Sequence, residues 1–430
     1  MAKFEIRQAT DQDRPAIVDT IRAVFNGDEE FAQIANFFTS SLHANSRPET
    51  AWIAVDRLNG RIAAVEMTAT MTWMYDGISL KVLVLLLTGT HPDYRGCNAM
   101  PLIHEKLNEW MLENEYDIAF VEGVPWYYRR LGYQPLGLRP DSTAYDRFSL
   151  PKGKKNLEKL AIRPFEEKDL PLAVELLACK AKDMLYSFTY DEKWAKMFTL
   201  DYFEESRDLS ATICGVNGEA IGVILSYTKN CRGDMYLLDY VLKPDVSHLE
   251  VTPAVMEFLA MEGDRQMNEH GGCKKIVMPY DVNTREILMD CLQGVVYVNK
   301  QSCKLIDIPG YIKKIAPILE RRIAASPICG YTNVVGIQLF GHKQGLTITF
   351  KNGLVEDVDW RDVDFVKNSL AIQIPYEKFI RLIFGVECID DMRQEHREVN
   401  SKNGERLNNE MRLLLKVMFP KKLSYVMHSC

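Results

Sequence analysis

Positions 6–18 of this chain read IRQATDQDRPAIV, and positions 162–174 read IRPFEEKDLPLAV. At a constant offset of 156, Ile6, Arg7, Asp13, Pro15 and Val18 match Ile162, Arg163, Asp169, Pro171 and Val174. Each copy reads as a short strand running into an acidic residue and a proline, which start a helix by capping and by a pre-set φ. Further on, PDYRGCNAMP at 92–101 lines up with PDVSHLEVTP at 244–253, now at an offset of 152. Two blocks in the same order at nearly the same offset predict a duplicated domain of about 150 residues.

The joint between copies is the lysine-rich, glycine-broken LPKGKKNLEK at 150–159. A second joint falls near IDIPGYIKKIAP, from Ile306 to Pro317. Beyond it, VVGIQLFG, GLTITFKNG and LVEDVDW read as short strands separated by glycine turns. PYEKFIRLIFG and GERLNNEMRLLLKVMFP then carry apolar residues at helical spacing. The expected units are 1–150, 156–308 and an α+β unit at 312–430. A chain of 430 residues can hold two to four such cores.

A net charge of −7 argues against a broad nucleic-acid or membrane surface. The N-terminal MAKFEIRQATDQDRP has no apolar signal region, and no apolar run nears the ~18 residues of a membrane span. The expectation is a cytoplasmic protein without nucleic-acid or membrane partners. The ten cysteines include no CxxC pair, and the eight histidines no HxxxH or HExxH pair. Reduced, core-type cysteines and no metal are expected.

The apolar run VLVLLL, Val82 to Leu87, is short enough for a buried strand and leads into TGTHPDYRGCNAMP. A helix follows, with Ile103, Leu107, Trp110 and Met111 on one face and Pro101 suited to its first turn. Amides from Arg95 onward, the positive helix end and the Arg95 side chain together suit a pyrophosphate. The other reading of the loop alone is a plain strand–helix connection with Arg95 solvated. A second block lies about 30 residues on: VEGVPWYYRRLGYQPLG, Val121 to Gly137, a strand end and a short helix stopped by Gly132.

In this order and spacing, THPDYRG and YYRRLGY resemble the GCN5-related N-acetyltransferase (GNAT) superfamily. Its pyrophosphate loop usually carries small residues where this chain has Asn98 and Met100. Asn98 suits a left-handed turn, whereas Met100 threatens to crowd the pyrophosphate. The second copy has Ser247 and His248 where Arg95 and Gly96 stand, so it is read as a scaffold that has lost the cradle. Two such domains followed by a small α+β unit resemble the Eis (enhanced intracellular survival) acetyltransferases. The implied fold is α/β (α+β): tandem GNAT-like domains with mixed central sheets, then a sterol-carrier-protein-like domain.

The resemblance implies acetyl-CoA as co-substrate and an amine acceptor, either a small molecule or a lysine side chain. It implies homo-oligomeric assembly, often hexameric. It assigns cofactor binding to Leu87, Thr88, Gly89, Thr90, Arg95, Gly96, Cys97, Asn98, Ala99 and Met100. By motif position Tyr128 is the general acid for the departing thiolate; Tyr127 would need a shift of one residue. The C-terminal carboxylate of Cys430 would accept the substrate proton, with His428 and Glu122 as alternative bases. The acidic NGDEEF, Asn26 to Phe31, reads either as a contact for a polycation or as a helix-capping cluster. Two competing readings are a non-catalytic lipid or acyl-CoA binder and a transferase of longer acyl chains.

Overall fold

The computed structural model describes residues 3–40, 43, 45–137, 142–150, 160–201, 209–229, 234–266, 272–279, 282–296, 301–395, 398–401, 407–424 and 426. The first copy opens with β1 (Phe4–Gln8), α1 (Arg14–Val24), α2 (Glu29–Phe38) and β2 (Trp52–Asp56). The long hairpin of β3 (Ile62–Tyr75) and β4 (Ile78–Thr90) follows. Its two-residue turn places Asp76 at φ 47° and Gly77 at φ 102°, the left-handed pair that suits the twist of a tight hairpin. Then come α3 (Ala99–Glu113), β5 (Ile118–Glu122), α4 (Pro125–Arg129), β6 (Gln134–Pro135) and β7 (Ser142–Asp146).

The second copy repeats this order from β8 (Ala161–Pro164) and the helix Leu170–Ala181. It continues with β9 (Tyr186–Phe188), β10 (Leu209–Cys214), β11 (Ala220–Lys229) and β12 (Asp234–Leu242). The helix His248–Gln266, β13 (Lys275–Pro279), β14 (Leu292–Val296) and β15 (Gln301–Leu305) complete it. The sequence 306–317, read as a joint, runs into the helix Ile308–Ala324, whose apolar residues at helical spacing are buried. Of the 150–159 joint, residues 151–159 lie outside the described residues. The last unit holds β16 (Asn333–Phe340), β17 (Gln344–Lys351), β18 (Leu354–Asp362), β19 (Leu370–Pro375) and β20 (Asn400–Ser401). Helices Tyr376–Ile383 and Asn409–Met418 cover it, as their spacing predicts.

The repeated Arg and Asp are one device used twice. Arg7 grips Asp13 with both terminal nitrogens at 2.8 Å, and Arg163 grips Asp169 at 2.7 Å on each. The same carboxylates accept from the backbone amides of Thr10 and Glu166. Each aspartate therefore ties the end of a strand to the start of a helix, which is why both residues survive in both copies. Burial pushes the Asp169 carboxyl up. The Arg163 guanidinium, the Thr212 hydroxyl and the Glu166 amide outweigh it and bring the pKa from 3.8 to about 2.

Three sheets are present among the described residues, in the orders β1-β2-β3-β4-β5-β15-β6, β14-β7-β13-β12-β11-β10-β8 and β18-β17-β16-β19-β20. β9 adds to the first sheet through β3. Each sheet has one parallel pair, β4 with β5, β12 with β13 and β16 with β19, so this is a mixed α/β protein. The two copies trade strands. β7 leaves the first copy to pair with β13 and β14, while β15 leaves the second to pair with β5 and β6. One face of the first sheet packs on α1, α2 and the 308–324 helix, in a core that continues into the third sheet through Tyr75, Tyr186, Tyr311 and Phe384. The opposite face packs on α3 and the tyrosines 116, 128 and 133.

The acid limb of stability tests the Arg–Asp device. The Asp169 carboxylate is depressed relative to its unfolded value, so its stabilisation is complete above about pH 4 and lost as pH falls towards 2. Asp169→Asn should cost about 2 kcal/mol at neutral pH and flatten the fall between these values. Urea denaturation across that pH range reads both effects.

Candidate active site

β4 and β5 run parallel from Val82↔Ile118 to Leu85↔Val121, and there the pairing ends. On its other side, β4 pairs Leu85 with Thr68 and Thr88 with Glu66, so Leu86 and Leu87 form a bulge against β3. The two devices act together. The bulge turns β4 away, and the parted strand leaves Leu86 to Thr90 facing a cleft without β5 as partner. That cleft has a volume of about 780 Å³. Its walls include Phe25 and Phe31, Leu86 to Thr90, Met100, and Glu122 to Tyr128 apart from Pro125.

At the mouth, the loop 92–98 is pinned by Tyr94, whose buried ring packs on Phe4 and whose hydroxyl accepts from Asn59 Nδ2 at 2.9 Å. Gly96 takes φ 80° and Asn98 φ 63°, two left-handed turns that bring the chain into α3. Asn98 thus does conformational work open to few residues other than glycine. Met100 is 4% exposed and belongs to the same core cluster as Ala99, Ile103 and Tyr94, while also lining the cleft. The first-turn amides of Ala99 and Met100 have no intrahelical acceptor, and the positive helix end faces outward beside them. Arg95 is exposed and its guanidinium donates to the Val24 carbonyl at 3.4 Å. Cys97 Sγ lies 3.5 Å from Lys3 Nζ.

The second copy shows what this turn prevents. Its helix starts at His248, which aligns with Gly96 at the offset of 152, so three residues of loop have become helix. Ser247, His248 and Leu249 offer no glycine or asparagine for positive φ, and the helix simply extends backwards.

At the inner end stands Tyr128, 7% exposed. Gly132 at φ 89° stops α4: the Tyr133 amide donates to the Tyr128 carbonyl and the Gly132 amide to the Arg129 carbonyl, each at 3.1 Å. This doubly bonded left-handed cap fixes the helix end. The buried Tyr133 ring then packs edge-on against Tyr128. A Cβ on Gly123 would come within 2.5 Å of the Tyr128 ring, so that glycine makes the ring's space. Tyr127 is half-buried and Trp126 lies at the rim, 65% exposed.

The Tyr128 hydroxyl donates to Thr88 Oγ1 at 3.3 Å, and Thr88 donates to Glu66 Oε1 at 2.5 Å. Glu66 is fully buried, with its second oxygen 3.3 Å from His104 Nε2 of α3. Burial first, and the Glu66 charge second, raise the Tyr128 phenol far above its ordinary value and that of Tyr127 to about 12. Tyr128 is therefore a neutral phenol at physiological pH.

Glu66 and His104 were missed in the sequence. Their signal was one carboxylate within the otherwise uncharged run IAAVEMTATM and one histidine on the apolar face of α3, where Trp110 is only half-buried. Phe25 and Phe31, stacked at 3.8 Å, were missed as well. The acidic stretch 26–31 acts structurally: Asp28 caps α2 and Glu29 pairs with Arg22 at 2.7 Å. Glu122 accepts from Gln301 Nε2 of the exchanged β15 at 2.8 Å. Cys430 and His428 lie outside the described residues. The tail before them is held at Leu423, whose carbonyl accepts from the Leu185 amide at 2.7 Å.

Residues 5–136 match the family model described as an acetyltransferase (GNAT) domain. This stretch holds both blocks singled out above. Solved structures resemble the whole chain in fold. A conserved protein of unknown function from Enterococcus faecalis V583 aligns at TM-score 0.67 and 9% identity, over 99% of this chain and 100% of its own. A GCN5-related N-acetyltransferase from Anabaena variabilis ATCC 29413 aligns at 0.64 and 13%, over 98% and 99%. Eis1 from Mycobacterium abscessus aligns at 0.61 and 12%, over 98% of each chain. No curated protein matches the chain by sequence.

Close approach of α1 to β4 shapes this cleft. A Cβ on Gly89 would lie 2.5 Å from Val24 Cγ1. Gly89→Ala should cost about 1–3 kcal/mol through overpacking. Adding Val24→Ala should recover part of the loss, a coupling that a double-mutant cycle of urea midpoints measures.

Proposed function

We propose that the first-copy cleft binds acetyl-CoA and transfers its acetyl group to a primary amine. The observation that carries this reading is the parting of β4 from β5 in a cleft that ends at a neutral, buried tyrosine. Transfer from a thioester to an amine asks for a polarised carbonyl, an excluded bulk solvent and a proton for the leaving sulfur. Amides within Leu87 to Thr90 suit the acyl carbonyl and the extended arm behind it. Arg95, Gly96, Cys97, Asn98, Ala99 and Met100 contribute backbone amides, a helix end and one cation for the pyrophosphate.

In this reading Tyr128 gives its phenolic proton to the departing sulfur, and its raised pKa keeps that proton available. The acceptor enters between Phe25, Phe31, Trp126 and Tyr127, with Glu122 the carboxylate nearest its amine. The capping role of Asp28 and the Arg22 partner of Glu29 weaken the case for a polycation contact at 26–31. The division into units at 1–150, 156–308 and 312–430, with the last as a sterol-carrier-protein-like domain of the Eis arrangement, belongs to the same proposal. So do assembly into homo-oligomers and a cytoplasmic location. A lipid-carrying third unit would need an apolar cavity, whereas Ile337, Ile348, Phe350 and Phe379 are packed into its core.

Tyr128→Phe should lower kcat for acetyl transfer by about 10²–10⁴-fold while KM for acetyl-CoA stays nearly constant. Steady-state assays across a panel of primary amines measure both. Equal activity of the variant with its best acceptor would remove Tyr128 from the chemistry.

A further inference from the structure

A fully buried carboxyl group in the middle of a sheet is expensive unless its oxygens find hydrogen-bond partners. Glu66 sits there nonetheless, 0% exposed, on β3 directly across from Thr88 on β4. One oxygen accepts from Thr88 at 2.5 Å. The other faces His104 Nε2 at 3.3 Å, yet neither of those two atoms completes a hydrogen bond with any described residue. His104 is itself 2% exposed. Such under-bonded buried groups in a native fold call for an explanation, and a catalytic role is one.

The direction of the hydrogen bonds supplies one. Tyr128 donates to Thr88 and Thr88 donates to Glu66, so the row is polarised inward from the cleft. A proton arriving on the Tyr128 oxygen can displace the phenol's own proton to Thr88, and that of Thr88 to Glu66. The reverse shift returns it. Tyr127, Tyr133 and Glu122 are the other titratable groups around this row. The two tyrosines are held neutral by burial, and Glu122 is bonded to Gln301 on the cleft wall.

We propose that Glu66 is the proton store of this cleft, loading from the acceptor nitrogen and unloading to the departing sulfur through Thr88 and Tyr128. The inference rests on the acetyl-transfer reading above. The balance is closed. As the neutral amine forms its N–C bond, one N–H bond breaks and its proton enters at Tyr128, leaving Glu66 protonated. As the C–S bond breaks, Tyr128 protonates the sulfur and Glu66 returns the proton along the same row. Nitrogen has lost one proton, sulfur has gained one, and the row is restored without exchange with bulk water.

The test combines kinetics with Tyr128 titration in the full chain. Glu66→Gln and Thr88→Val should each lower kcat by about 10²-fold, with the KM for acetyl-CoA changed little. Thr88→Ser, which restores the hydroxyl, should recover most of what Thr88→Val loses. In tyrosine 13Cζ NMR, with the Tyr128 resonance assigned by its loss in Tyr128→Phe, Glu66→Gln should move the Tyr128 ionisation to lower pH. An active wild type indifferent to both Glu66→Gln and Thr88→Val would overturn the proton store alone. So would lost activity in Glu66→Gln with an unmoved Tyr128 titration, the mark of a merely structural role. If Glu66→Gln does not fold, the Thr88→Val and Thr88→Ser pair decides, since equal rates in the two overturn the relay. A wild-type chain that acetylates no amine in the panel defeats the acetyl-transfer reading and the store with it.

Discussion

β5 must leave β4 after Val121 without falling away from the sheet, and the means is a strand from far along the chain. β15 pairs with β5 from Ile118↔Leu305 to Glu122↔Gln301, along the whole length of β5 and past the point where β4 departs. Its Gln301 also bonds the Glu122 side chain at the cleft. The opening in the sheet is therefore held from the outside edge. Parted strands leave backbone groups that need partners, and a cleft lined by such groups is primed for an extended polar ligand. The same strand passes under α4, where Lys304 Nζ reaches the Leu131 carbonyl at 3.4 Å. The helix that carries Tyr128 thus rests on residues about 175 positions downstream in the sequence, a long-range dependence that folding must satisfy before the site exists.

The two copies share a scaffold and differ in what they leave open. Both use the Arg–Asp grip, both part the fourth long strand from its parallel neighbour, and each gives its last strand to the other's sheet. In the second copy the turn before the long helix is helical, and the strand end is occupied by an ion pair of Asp239 with Lys180 at 2.5 Å. Asp239 aligns with Leu87 at the offset of 152. Where one copy presents amides and an apolar wall, the other presents a satisfied charge pair. In the proposed reading, function concentrates in the first copy because a few residues there keep positive φ and keep charge out of the strand end.

Much of this was legible in the residues. Arg7, Asp13, Arg163 and Asp169 announced the duplication because a bidentate ion pair tolerates little substitution. Gly132 marked the end of α4, and the Asn352-Gly353 turn, at φ 52° and 83°, marked the hairpin of β17 and β18. What stayed hidden depends on tertiary neighbours. Strand pairing across copies has no local signature, since β7 and β15 read like any short strand. Glu66 and His104 are revealing only once burial is known, because a single polar residue on an apolar stretch is ambiguous from sequence. Met100 is a related case: the sequence gives the length of a side chain and not how much of it a core takes up, and here it is both buried and part of the cleft wall.

The central claim is that one cradle, in the first copy, holds acetyl-CoA. Titration calorimetry of acetyl-CoA into the full chain tests it most directly, with Arg95→Ala in parallel. The account predicts one equivalent bound per chain and a marked loss of affinity in the variant. Two equivalents per chain, no binding at all, or one equivalent indifferent to Arg95→Ala would contradict it.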